Sequence, residues 1–331
     1  QVTPDTAIAL EATGNAFAIY DALAARAGQV AVAHPAAPRR LGAGRHTDRV
    51  DAERLARRLA LGTLPQVWVP PAEIRALRTL IAHVTACQET AAAWKTRAQN
   101  ALLRAGWAVP AGTDLARWLA AHGTELDQDA QLLVTSALTV AAQLEAEAER
   151  VRAEVPHRVH EQPALQRLWS IPGIGPWTAV VIWAWLGDPH RFRRARQVTR
   201  YAGFDPTVHQ SGQADWRGHI SRQGPPLLRK VLVQAAWQAV RQPETEWAAF
   251  YRRVVKRLGP GRAIVAVARK LLLVAWRIWR EGRCLREVDR VRYAQKLRRI
   301  QRWRETHPRY PWAERLAQWG IAAPEAVPQS I

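Results

Sequence analysis

The chain has 331 residues, 48% of them hydrophobic and 23% charged, the balance of a soluble protein with a sizeable core and two or three domains. Its two cysteines, Cys87 and Cys284, exclude a zinc cluster or a disulfide framework and fit a reducing cytoplasm. No apolar run is long enough for a membrane span, Thr178–Leu186 being the longest, and no signal-peptide pattern is seen.

The net charge of +20 is unevenly placed. Residues 1–150 carry 15 basic and 15 acidic side chains, whereas residues 151–331 carry 33 and 13. An excess confined to one half is the footprint of a nucleic-acid surface. Only five of the basic residues are lysine, and arginine suits bidentate phosphate and guanine contacts.

The elements follow in chain order. Thr6–Thr13 alternates as a strand ending in an acid, and Gly14 turns it into a helix over Ala16–Ala27. Gln29–His34 is a second strand, Asp48–Leu61 a charged helix, and Gln66–Val69 a short third strand before Pro70-Pro71. This order predicts a small α/β layer over 1–71. The chain holds no methionine, and a layer this small implies further strands upstream of Gln1.

Glu73–Ala105 and Glu125–Glu154 repeat apolar residues at three- and four-residue steps around an interruption at Gly106–Gly123, predicting a helical hairpin or coiled-coil arm over 72–155. Pro156–Pro163 reads as a linker into a helical domain over 156–280. A basic tail, 281–331, carries Trp303, Trp312 and Trp319, read as packing residues rather than base-stacking platforms.

Ser170-Ile171-Pro172-Gly173-Ile174-Gly175-Pro176 lies between apolar helical segments. Two glycines two apart allow a tight turn whose amides, with the next helix N-terminus, can hold a phosphate. The pattern resembles the hairpin of helix-hairpin-helix DNA-binding modules, and a plain turn is the alternative. A DNA glycosylase shares this hairpin but needs an aspartate shortly after the second helix; the one nearby, Asp188, lies in a turn sequence and reads as a cap.

Three acids stand out upstream. Glu11 ends a strand, and Asp48 and Asp51 share one face of a helix start. They can converge on a divalent metal, or Asp48 can cap its helix and Asp51 pair with Arg54 or Arg58. A metal-dependent phosphodiester enzyme, a glycosylase and a non-catalytic nucleic-acid-binding remnant are the three readings open at this point.

The ordered set Leu-Glu-Ala-Thr-Gly, His-Thr-Asp-Arg-Val-Asp-Ala, a helical arm, Ile-Pro-Gly-Ile-Gly, Tyr-Ala-Gly-Phe-Asp-Pro, Gln-Ser-Gly, Ile-Ser-Arg-Gln-Gly and Leu-Leu-Arg-Lys resembles the insertion-sequence 110/116/902 family of transposases, also called DEDD transposases, with Piv-type invertases as relatives. The resemblance covers about residues 8–275. It implies a mixed fold: a RuvC-like, RNase H-fold α/β domain lacking its first strands, the coiled-coil arm, and a mainly α C-terminal transposase domain. It implies that Glu11, Asp48 and Asp51 are the second to fourth acids of a Mg²⁺ site whose first acid lies upstream, and that Ser211 is the nucleophile. Ser221, which reads as an N-cap before Arg222, is the other candidate. Gly173, Gly175, Arg217, Arg222, Arg229 and Lys230 are the expected nucleic-acid contacts. Implied partners are DNA, a structured guide RNA in some members, and further copies of the chain as dimer or tetramer. His46 stands where the family usually has lysine, and Pro225-Pro226 follows Gly224 where Gly-Asn is usual.

Overall fold

A computed structural model describes residues 2–34, 47–110, 112–160, 162–211, 214–285 and 290–306, with backbone alone at 156, 158–160, 163, 208–211, 214–217 and 304. His46, Gly212, Trp312 and Trp319 lie outside the described residues. The chain divides into two compact units, Gln1–Glu73 and Ile74–Ile331.

In the first unit β1 (Ala7–Glu11) and β2 (Gln29–Ala33) pair in parallel, from Ala7 opposite Gln29 to Glu11 opposite Ala33. A parallel pair needs a crossover, and α1 (Ala16–Ala24) supplies it. α2 (Asp48–Ala60) sets Leu55 and Leu59, one turn apart, on Ala31 and Ala33 of the sheet. The third expected strand is reduced to one antiparallel bridge, Ala33 to Gln66, flanked by bonds from Val67 N to Val32 O and from His34 N to Pro65 O, both 2.8 Å. Pro65 and Pro70 lack the N–H groups that a longer ladder would use.

In the second unit α3 (Ala72–Arg104) and α5 (Gln128–His160) run antiparallel, as the apolar periodicity predicts. Val84 and Cys87 of α3 meet Ala148 and Val151 of α5, and farther out Ala98 and Leu102 meet Ala130 and Val134. The interruption holds a helix that the sequence reading left out, α4 (Leu115–His122). Its first amides, Ala116 N and Arg117 N, donate to the Asp114 carboxylate at 3.1 and 3.3 Å. The expected linker at 156–163 is also corrected, because α5 continues to His160 through Pro156. A proline inside a helix forgoes one backbone bond. Val155 is fully buried in the main core, and that packing outweighs the local cost.

The main core is built by α6 (Pro163–Leu168), α7 (Pro176–Leu186), α8 (Ala195–Tyr201), α9 (Pro226–Val240), α10 (Glu246–Leu258) and α11 (Pro260–Glu281). α7 is apolar on every side and is buried by its neighbours; no described helix is long and apolar enough to cross a membrane. α11 buries Ile264, Val267, Leu271, Ala275 and Ile278, a stripe at helical spacing that packs on α9 and α10. Truncating a leucine such as Leu271 to alanine costs about 2–5 kcal/mol at a site of this kind. The basic tail begins with α12 (Arg290–Thr306), which turns Tyr293, Leu297 and Ile300 onto the same core. The helical expectation for 156–280 misses one feature, an antiparallel ribbon of β3 (Pro206–Ser211) and β4 (Ala214–Ile220).

Candidate functional site

The glycine hairpin joins α6 to α7. Ile171 and Ile174 are fully buried and anchor it. Between them Gly173 holds φ +81, and a Cβ there would lie 2.2 Å from the carbonyl oxygen of Ala235, so α9 packs directly on its backbone. Gly175 is the N-cap of α7 and Pro176 its first residue, as the sequence spacing predicts. The Ser170 hydroxyl donates to Arg167 O at 2.6 Å and accepts from Leu285 N at 3.1 Å. Asp188 accepts from His190 N at 2.8 Å and caps the short 3-10 turn Pro189–Arg191, the capping role read from its sequence and not that of a glycosylase base.

The basic run after α7 divides in two. Arg191 turns inward, donating to Leu186 O at 2.8 Å and Trp185 O at 3.3 Å; Arg78 from α3 reaches Ala184 O at 2.7 Å. These two guanidiniums cap the last carbonyls of α7, and burial pushes both below the ordinary arginine pKa. Arg193, Arg194 and Arg196 lie along the start of α8, where the Gln197 side chain accepts from the backbone N of Arg193 and of Arg194.

Tyr201–Pro206 and Ile220–Gly224 interlock at the foot of the ribbon. Ser221 N donates to Asp205 O at 2.7 Å and Arg222 N to Gly203 O at 3.2 Å. The Ser221 hydroxyl donates to Asp205 Oδ1 at 2.6 Å. Ser221 is therefore a turn residue and not the N-cap expected before a helix; α9 starts only at Pro226. Arg229 puts one guanidinium nitrogen on Ala202 O at 3.0 Å and Gly224 O at 2.9 Å. Burial, and after it the charge of Arg222, lowers its pKa. Lys230 is exposed and pairs with Glu89 of α3 at 3.4 Å.

Ser211 is the last residue of β3 and lies opposite Ala214, so its backbone stands at the far end of the ribbon from this foot. Arg217 faces Val208 across the same ribbon. A signal for the ribbon is present in the sequence: two polar-apolar runs separated by Gly212-Gln213.

Beside the ribbon foot a groove of about 1000 Å³ runs along α11. Phe204, Phe250, Val265 and Leu273 line its floor, and His219, Arg222, Arg262, Arg269 and Lys270 line it with basic groups. No carboxylate lines it among the described residues. Sequence reasoning missed Arg262 and Arg269; their spacing of seven on α11 is the signal that sets them on one face.

The acids belong to the first unit. Glu11 closes β1 and is exposed. Thr47, not Asp48, caps α2, its hydroxyl accepting from Val50 N at 3.4 Å. Asp48 and Asp51 fall in the first turn of α2, which packs on β1, and Asp51 pairs with Arg54 at 3.4 Å. Carboxylates at a strand end and a helix start are hard oxygen donors of the kind Mg²⁺ takes. Among the described residues no three His, Cys, Asp or Glu side chains stand close enough together to hold a metal.

Comparison with known proteins places these parts in one family. A family model described as Transposase IS116/IS110/IS902 family matches residues 165–252, and the DEDD model of the IS110 type, described as Transposase, matches residues 2–106. The transposase for insertion sequence element IS1111A of Coxiella burnetii is 34% identical over 34% of this chain and 31% of its own length. The y4qE protein of Sinorhizobium fredii is 28% identical over 77% of this chain and 70% of its own. The pilin gene-inverting protein of Moraxella lacunata is 31% identical over 35% and 37%. The chain spans roughly a third of the length of the first curated relatives it matches. With both models matched in chain order, the chain belongs to the IS116/IS110/IS902 family of transposases.

Proposed function

We propose that the chain is the DNA-cutting and rejoining part of an insertion-sequence transposase, a recombinase that acts through Ser211 and an acid-held Mg²⁺. The observation that carries the reading is the order of its parts: Glu11, Asp48 and Asp51 in the first matched stretch, Ser211 in the second. The parallel β1–α1–β2 unit with α2 on β1 supports a RuvC-like, RNase H-type first domain. A gene-inverting protein among the relatives supports recombination over hydrolysis.

In this reading the Ser211 hydroxyl attacks a backbone phosphorus. A P–Oγ bond forms, a bridging P–O bond breaks, and the departing sugar oxygen takes up the proton that the serine gives off. The phosphoserine ester keeps the bond energy, and a sugar hydroxyl attacking it rejoins the strand and frees the serine. Glu11, Asp48 and Asp51, which are not grouped for a metal among the described residues, would have to converge to hold Mg²⁺, which would supply charge stabilisation at the phosphate oxygens. Arg217, Arg222 and Lys230, with Arg262 and Arg269 of the groove, place and neutralise the DNA backbone. The amides of Gly173 and Gly175 and the start of α7 hold a further phosphate, the Ile174 amide being taken by Ile171 O.

The test is a covalent adduct between the full chain and element-end DNA that survives denaturant. Ser211→Ala should abolish the adduct and leave DNA binding unchanged, and Asp48→Asn should abolish Mg²⁺-dependent cleavage. An adduct retained in Ser211→Ala would sink the nucleophile assignment. A structured guide RNA and a homo-oligomer complete the proposed partners; co-purifying RNA and the mass in solution test them.

A further inference from the structure

α12 places one lysine behind the glycine hairpin. Lys296 Nζ donates to the carbonyl oxygens of Trp169 at 2.8 Å and Ile171 at 3.5 Å, and most closely to that of Ile174. The side chain is half-buried, and every hydrogen-bond partner it has among the described residues is a backbone carbonyl. Tyr293, one turn earlier, anchors the same helix by donating to Gln166 O at 3.1 Å.

Main-chain oxygens converging on one point are a cation site, since carbonyl rings hold potassium by standing in for its water shell. An ammonium, with three N–H donors, matches three acceptors one to one. The choice of residue fits. In a chain where only five of 48 basic residues are lysine, this position takes the compact charge. A planar guanidinium cannot centre its charge among three oxygens.

We propose that the carbonyls of Trp169, Ile171 and Ile174 form a monovalent-cation site that the chain fills with its own Lys296, holding the hairpin ready for phosphate without potassium. The site stands on its own geometry; only its link to phosphate rests on the nucleic-acid reading above. With the carbonyl ends of the hairpin dipoles neutralised from behind, their N–H ends and the start of α7 present a positive face. Without a cation the three oxygens repel one another and the turn through Gly173 loosens.

Thermal unfolding and duplex-DNA affinity are measured for the full chain and for Lys296→Met, which keeps the apolar stem. Each is run in potassium chloride and in tetramethylammonium chloride at equal ionic strength. The unsubstituted chain should behave alike in both salts. Lys296→Met should unfold about 3–6 °C higher in potassium, as a free cation fills the site. It should also bind DNA about tenfold more tightly there. Lys296→Arg should resemble neither, staying destabilised in both salts. Equal unfolding of Lys296→Met in the two salts overturns the proposal, as does an equal potassium gain in the unsubstituted chain. A variant that folds only in potassium supports it; one that folds in neither salt overturns the claim that a free cation can replace the ammonium. If DNA binding is absent throughout while unfolding follows the expected pattern, the nucleic-acid reading fails and the cation site stands. If DNA binding is intact and unfolding of Lys296→Met ignores potassium, the reverse holds.

Discussion

Arg222 donates its backbone N–H to the carbonyl oxygen of Gly203 at 3.2 Å, and both residues hold left-handed backbone, φ 55° and 70°. Arg222 is the one non-glycine residue with positive φ among the described residues. The bond ties the turn after α8 to the turn before α9. It thereby fixes where the ribbon that ends β3 at Ser211 leaves the helical core.

The two positions should respond oppositely to substitution. A Cβ on Gly203 would lie 2.9 Å from Arg222 C and Gln223 N, on a backbone that side chains rarely adopt. Gly203→Ala should cost about 2–4 kcal/mol. Arg222→Gly relieves a strained φ and should change stability by less than about 1 kcal/mol. Urea midpoints at unchanged m-value measure both; a Gly203→Ala chain as stable as the original would show that the turn is free to move.

The basic residues of this region should separate by salt dependence. Arg229 is spent on Ala202 O and Gly224 O, so Arg229→Met should destabilise by about 1–3 kcal/mol through two carbonyls left without this donor. Its DNA affinity should keep the original slope against salt. Lys230→Ala should leave stability nearly unchanged and, if the lysine contacts phosphate, flatten that slope by about 0.9. A flattened slope in Arg229→Met would return that arginine to the DNA surface.

The groove along α11 gives a sharper version of the same measurement. Arg262→Ser with Arg269→Ser removes two exposed charges and touches no buried side chain. The salt slope should flatten by about 1.8, with unfolding unchanged. An unaltered slope would take the groove out of the nucleic-acid path.

Much of this was legible because local and tertiary preferences agree. β1, β2 and the two long helices follow the apolar period, and Gly173 and Gly175 mark a turn that Ile171 and Ile174 bury. The misses have physical reasons. Pro156 signals a break, yet burial of Val155 carries α5 past it. His209, Gln210, Trp216 and Arg217 mix polar and aromatic groups, so the ribbon has no clean apolar face to betray it. Tyr293, Leu297 and Ile300 do repeat at helical spacing, but the arginines around them make α12 read as a tail. Among the acids, sequence order was legible and spatial grouping was not, because spacing along a chain does not fix distances between a strand end and a helix.

The two serines should part cleanly. Ser221 gives its hydroxyl to Asp205 at 2.6 Å, a charge-assisted bond within a turn. Ser221→Ala should cost about 1–2 kcal/mol and still form the covalent DNA adduct. Loss of adduct at full stability would instead make Ser221, with Asp205 as its base, the reacting pair.

Lys296 also sets a pH dependence. Burial pushes its ammonium from the ordinary 10.5 down to about 8, so it is charged at neutral pH. Between about 8 and 10.5 the folded chain has released a proton that the unfolded chain still holds. Burial alone would then make stability rise with pH through that window, by at most about 3 kcal/mol, and the three carbonyl bonds that hold the ammonium oppose this rise. Arg292, Tyr293, Glu244 and Glu246 line the same cavity. Burial raises Tyr293 above 10.0. Measured in tetramethylammonium chloride, the stability difference between the unsubstituted chain and Lys296→Met should therefore change little as pH is raised from 7 towards 9. A steady gain of the unsubstituted chain with pH would mean that desolvation outweighs the hold of the carbonyls of Trp169, Ile171 and Ile174, and would count against the cation site.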